Sequence, residues 1–282
     1  MSSGFEWTAE YAFEAQQLCA YETVALGYSS FCALFTYQEW LGFEQTDDIQ
    51  FQGQFGFSSP TGRAVGVGYV AEVLARLNHR LITEATAAVN GMPHYHLIHK
   101  FFSQKSAKLT IYFTVTLASI ESTFPTTQVL NFDFSHDTNI AAVLTAFGLT
   151  QFAEFIPSDK PAPENRTFVV SHMEPFACVL DIRLIDSPKP LKSARDTQCR
   201  DASAYEDEGD KTQYVQFLLN QRTIPLGKSF AGCGERSDGW CELGAFLEAQ
   251  ADALEKANFE FACHGDYEAP AYGAVTDGNV FA

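Results

Sequence analysis

The sequence predicts a mixed α/β chain, and three observations carry that prediction. Stretches with apolar residues at helical spacing alternate along the chain with short β-prone runs. Residues 214–219 and 223–226 flank Asn220-Gln221-Arg222 in the manner of a β-hairpin. Residues 129–148 read as a strand, a polar break and a helix, and this third stretch holds the residues best suited to chemistry.

Residues 8–24 place Tyr11, Phe13, Leu18, Tyr21 and Val24 among Glu and Gln and predict a helix. A turn at Gly27-Tyr28-Ser29-Ser30 leads into a short apolar segment, residues 31–35, and residues 38–43 predict one or two helical turns that carry Trp40 and Phe43 inward. The glycine-rich residues 52–62 predict a loop, since such a stretch cannot hold a regular element. Val67, Val70, Val73, Leu74 and Leu77 share one face and predict a helix over 65–81. Gly66-x-Gly68 lacks a preceding strand and a third glycine, so it makes a weak dinucleotide signal.

Residues 90–120 have a different texture, basic at first and then apolar, with His94, His96 and His99 close together. A metal reading of these histidines stands behind incidental clustering, because zinc sites show more defined spacing. The apolar run is short of the roughly 18–20 residues a membrane span needs. Residues 168–184 predict strands at 169–170 and 176–184, residues 195–211 a solvated charged loop, and residues 241–257 an amphipathic acidic helix.

The formal charge of −17 excludes a basic face for nucleic acid or anionic membrane. A phosphate ligand would need a local group of positive donors to overcome the overall field. Seven cysteines without a C-x-x-C pair look like short disulfide loops more than zinc knuckles. Cys19 and Cys32 bracket one compact loop and Cys233 and Cys241 another. Residues 1–13 carry neither a basic nor an apolar signal-peptide region. Disulfide-type cysteines without a signal peptide predict that the true beginning of the chain lies elsewhere.

In the strand-break-helix stretch, Phe132 and Phe134 alternate in strand fashion, and Ile140, Val143, Leu144 and Phe147 follow at helical spacing. Thr138 or Asn139 is the expected cap, and Gly148 the left-handed stop. His136 and Asp137 therefore sit where a strand ends and a helix begins, where backbone N–H groups and the helix dipole favour an anion such as phosphate. Taken alone, the dipeptide is better read as a satisfied histidine beside a helix cap.

The motif Phe134-Ser135-His136-Asp137-Thr138-Asn139-Ile140 resembles the C-terminal motif of the histidine acid phosphatases, and its surroundings are similar to the fungal phytases among them. The likeness also takes in Leu18 to Thr23, Phe31 to Thr36 with Glu39-Trp40, Gly66 to Tyr69, and Leu74 to Leu77. Further on it includes Pro175-Phe176-Ala177, Asn220 to Leu226, and Gly232-Cys233 to Cys241. Residues 1–88 then correspond to part of a helical subdomain. Residues 121–282 correspond to the C-terminal part of an α/β phosphatase domain, with a central mixed or parallel sheet and flanking helices. Residues 89–120 are an atypical insertion with the composition of a retained intron.

The resemblance implies an acid phosphomonoester hydrolase with no cofactor and no metal, acting through a phosphohistidine. His136 would contact the transferring phosphoryl group and Asp137 would protonate the leaving alkoxide. It implies a small phosphomonoester as partner, phytate among the candidates, and secretion. It also implies disulfides Cys19–Cys32 and Cys233–Cys241, unpartnered Cys199 and Cys263, a free buried Cys178, and glycosylation at Asn165 in Asn165-Arg166-Thr167. The family's Arg-His-Gly-x-Arg-x-Pro motif, which supplies the nucleophile, does not occur in this sequence. The expectation is a truncated, inactive chain, or alternatively a non-catalytic glycoprotein fragment. Residues 47–52 stand where such phytases carry substrate-holding lysines; with Asp47 and Asp48 there, a less charged ester is as good a candidate as phytate.

Overall fold

A computed structural model describes residues 6–83, 118–194 and 204–280. Helix α1, Ala9–Leu26, starts where the Thr8 hydroxyl accepts the Tyr11 amide and stops at Gly27, whose φ of 85° is open to glycine at little cost. The Cys19–Cys32 disulfide ties a 3₁₀ turn, Ser30–Leu34, back onto it. Helix α2, Tyr37–Gln54, opens with a capping box in which Thr36 and Glu39 satisfy each other's backbone amides. A chain of aromatic contacts, Phe35 to Trp40 to Phe43 to Phe13, holds α2 against α1 with ring centroids 5.3–5.7 Å apart.

Helix α2 is far longer than the one or two turns predicted, and it absorbs residues 47–52, which the substrate argument had placed in a loop. Two buried polar side chains explain the extension. Asp48, fully buried, accepts two hydrogen bonds from Arg166, at 2.7 and 2.9 Å, and one from the Val170 amide at 2.7 Å. Gln52, also fully buried, donates to the carbonyls of Phe152 and Glu154 and accepts from the Phe57 amide. These polar anchors lack apolar periodicity, so the pattern did not reveal the helix. Asp48 is engaged inside the protein and does not face a substrate.

After a tight turn comes helix α3, Gly62–Leu77. The Arg63 guanidinium donates to the carbonyl oxygen and the carboxylate of Asp277, each at 2.6 Å, and so fastens the C-terminal tail to the start of α3. The site helix α4, Asp137–Ala146, packs along α3. Their contact is close enough that a Cβ on Gly66 would lie 2.2 Å from the Ala142 carbonyl oxygen. The Gly66-x-Gly68 pair thus answers to helix packing.

The expected strand at 169–170 is instead a single helical turn, α5, Val170–Met173, pinned by the Asp48 bond to the Val170 amide. Strand β1, Leu180–Ser187, begins later than predicted and pairs antiparallel with β2, Thr212–Leu219. Strand β3, Arg222–Ile224, completes the predicted hairpin through Asn220 and Gln221, both left-handed, as a two-residue hairpin turn requires. Strand β4, Cys241–Glu242, also pairs with β2 and is linked to a 3₁₀ turn by the Cys233–Cys241 disulfide. Every pairing in this sheet is antiparallel, so the parallel component expected for the central sheet is absent among the described residues.

The helix predicted over 241–257 divides into β4, then α6, Leu243–Ala249, and α7, Ala253–Ala257, with α8, Phe259–His264, following. One apolar core joins α3, α4, the sheet and α6, and Phe147, Phe217 and Phe246 form a ring contact at its centre.

Candidate active site

The site is built on the exposed end of α4. From Ala141 to Phe147 this helix is buried, which fixes its axis. The chain leaves it through Gly148, with φ of 76°, and the Leu149 amide donates back to the Leu144 carbonyl. His136 occupies the N-cap in extended conformation and Asp137 the first helical position, one residue or more before the cap expected at Thr138 or Asn139. Ser135 and Asn139 bond each other instead.

Both His136 and Asp137 are exposed, and no side chain caps the helix. The Asp137 carboxylate accepts its neighbour's amide, Thr138, at 2.7 Å. An open helix N-terminus with an imidazole and a carboxyl beside it can take an anion against the backbone dipoles and move a proton at its edge.

The segment before it departs from expectation. Residues 129–135 are extended but belong to no sheet, and Val129, Leu130, Phe132 and Phe134 are exposed, Phe134 almost completely. Extended backbone forms a ladder only beside another strand, and none of the described strands borders this segment. It is held from the other side. Asp133 receives Arg76 at 2.8 and 3.3 Å and the Tyr69 hydroxyl at 3.2 Å, while Arg76 also reaches Glu72 and stacks over Phe124. Burial, then the Asp133 charge, push the Tyr69 hydroxyl up to about 12, so it stays a donor to that carboxylate.

The sequence reading missed one group. Glu174, at the end of α5, is 7 % exposed, and neither carboxylate oxygen meets a donor at hydrogen-bond distance and angle. Burial, then the Asp137 charge, push it up to about 8, and the Ala141 amide, too poorly placed for a bond, only partly opposes this. Its signal in the sequence was a lone carboxylate in front of Pro175 within an otherwise apolar stretch.

The four bracketing cysteines form the two expected disulfides. Cys263 is free and exposed; Cys178 is free but half-buried instead of buried, because β1 starts beyond it. Asn165 is exposed on a turn, while its neighbour Arg166 points inward to Glu44 and Asp48. Cys199 and the histidines 94, 96 and 99 lie outside the described residues, among which no three His, Cys, Asp or Glu residues gather to hold a metal. No helix among the described residues is long and apolar enough to cross a membrane.

A helix N-terminus carrying a His-Asp pair, backed by an α/β core, is a phosphate-handling arrangement found in histidine phosphatases. The family model of the histidine phosphatase superfamily, branch 2, matches residues 1–220, and the chain belongs to that family. It is 26 % identical to Phytase A of Aspergillus oryzae over 249 residues, 86 % of this chain and 43 % of that protein. It is 25 % identical to the acid phosphatase of Schizosaccharomyces pombe over 279 residues, 96 % of this chain and 47 % of that protein. The crystal structure of the phytase from D. castellii superposes with a TM-score of 0.58 at 17 % identity, covering 95 % of this chain and 43 % of that one, a likeness of fold. The chain thus spans less than half the length of these relatives.

Proposed function

We propose that the chain carries the proton-donating half of a phosphomonoesterase site. Asp137 gives its proton to the alkoxide as the phosphorus–oxygen bond breaks, and His136 contacts and helps neutralise the phosphoryl group. The nucleophilic histidine, which would take the phosphoryl group as a phosphohistidine, belongs to the Arg-His-Gly-x-Arg-x-Pro motif that this sequence lacks. The observation that supports this reading best is the pairing of exposed His136 and Asp137 at the uncapped N-terminus of α4.

The substrate class is a small phosphate ester, as the names phytase and acid phosphatase among the relatives suggest. The two disulfides favour an exported protein, in which Asn165 would be open to glycosylation. A leaving-group series tests the assignment. With an N-terminal portion of a relative supplying the missing motif, Asp137→Asn should lose about 100-fold or more on alkyl phosphates, within the range for general acids. It should lose much less on p-nitrophenyl phosphate, whose leaving group needs no proton. Equal losses on both esters would contradict the role.

A further inference from the structure

The α4 N-terminus carries a second carboxyl that the proposed chemistry does not use. Glu174 lies behind it, with its oxygens enclosed and without donors. The backbone around it is firmly placed. The Glu174 amide donates to Val170 at 2.8 Å, Pro175 follows, and Asn220 donates to the carbonyls of His172 and Met173 at 3.0 Å each. The side chain is therefore not a surface carboxylate that can swing to water.

The groups that face it are few. From α4 come Asp137 and the Ala141 amide, and from the turn after α5 comes the Cys178 thiol, itself pushed up by burial and by the Glu174 and Asp137 charges. No cation appears among them. A carboxyl enclosed in such surroundings keeps its proton, because ionisation would give a buried charge with neither solvent nor counter-ion.

We propose that Glu174 is a positioning residue for Asp137: a carboxylic acid held uncharged behind the first turn of α4, so that this helix end carries one negative charge instead of two. The inference rests on the reading of Asp137 as the acid, and it adds a condition for that role. An anionic ester approaching the helix end already meets the Asp137 charge. A second charge behind it would cancel the attraction of the helix dipole, worth typically 0.3–1 kcal/mol near the surface. Ionisation of Glu174 would then set the alkaline limit of the site.

The test follows the carboxyl carbons of the ¹³C-labelled 282-residue chain by nuclear magnetic resonance from pH 3 to 10. Glu174 should titrate near pH 8, and the Asp137 carboxyl signal should show an inflection at that same pH. In Glu174→Gln that inflection should vanish, a result that a merely structural role for Glu174 would not give. Should that variant fold poorly, Asp137→Asn gives the converse reading, a lowered Glu174 midpoint. A Glu174 midpoint in the ordinary carboxylate range near 4.3, an Asp137 signal flat through pH 8, or a midpoint unmoved in Asp137→Asn would each overturn the proposal. None of these outcomes depends on turnover, so the assignment of Asp137 as acid can fail separately.

Discussion

Glu174, Asp48 and Arg166 show how much single buried polar groups decide in this chain. Because the folded-state midpoint of Glu174 lies at about 8, above its ordinary value of 4.5, the folded chain holds a proton that the unfolded chain has released. Stability should therefore fall as pH rises from about 4.5 to about 8 and level off beyond, by on the order of a few kcal/mol. Urea unfolding of the chain and of Glu174→Gln at pH 5 and pH 8 checks the sign. The two should differ more at pH 8, with the variant the more stable, and equal pH dependence would contradict it. Asp48 works in the opposite sense, as a buried carboxylate whose partners are present. Replacing Asp48 by Ala leaves Arg166, with only about a tenth of its side chain exposed, relying on Glu44 alone. It should cost about 3–5 kcal/mol, the range for breaking a buried pair from one side, measurable by the same unfolding experiment. His136 and Asp137 were legible in the sequence because they stand in a motif. Glu174 and Asp48 were not, because burial of a lone carboxylate depends on neighbours far along the chain.

At the level of elements, helices α1, α3 and α4 and the β2–β3 hairpin were legible, since their caps, periods and turn residues are local. The misread elements are those fixed from a distance. Helix α2 runs on because Arg166 and the Phe152 and Glu154 carbonyls bond its polar side chains, and 169–170 is helical because Asp48 holds it. Residues 129–135 have a strand's sequence without a strand's neighbour. The contact between α3 and α4 sets the direction of the site helix, and Gly66→Ala should disturb it. A methyl 2.2 Å from a backbone oxygen cannot be absorbed by a flexible side chain. The cost should be about 1–3 kcal/mol or more, with shifted α4 amide signals; a variant as stable as the parent would show that the helices separate freely. The Cys233–Cys241 bridge closes a loop of sequence separation 8. Replacing both cysteines by serine should cost about 2–3 kcal/mol in the chain-entropy account, read as a lower denaturation midpoint.

For the whole molecule, membership of the histidine phosphatase superfamily and an antiparallel sheet beside packed helices give the site its frame. The acidity of the chain, −17 overall, means that a phosphate ester is drawn in only by local donors. The α4 N-terminus supplies some of them, and the family's arginine-bearing motif, which this sequence lacks, would supply the rest. The exposed apolar row Val129, Leu130, Phe132 and Phe134 leads directly into His136, so the site borders an uncovered surface. The central claim is that His136 and Asp137 form half of a phosphatase site, unable to turn over without the nucleophile. The direct measurement is hydrolysis of p-nitrophenyl phosphate at acid pH by the purified 282-residue chain beside His136→Ala. The account predicts background rates, equal in both. Turnover by the chain that disappears in His136→Ala would contradict it.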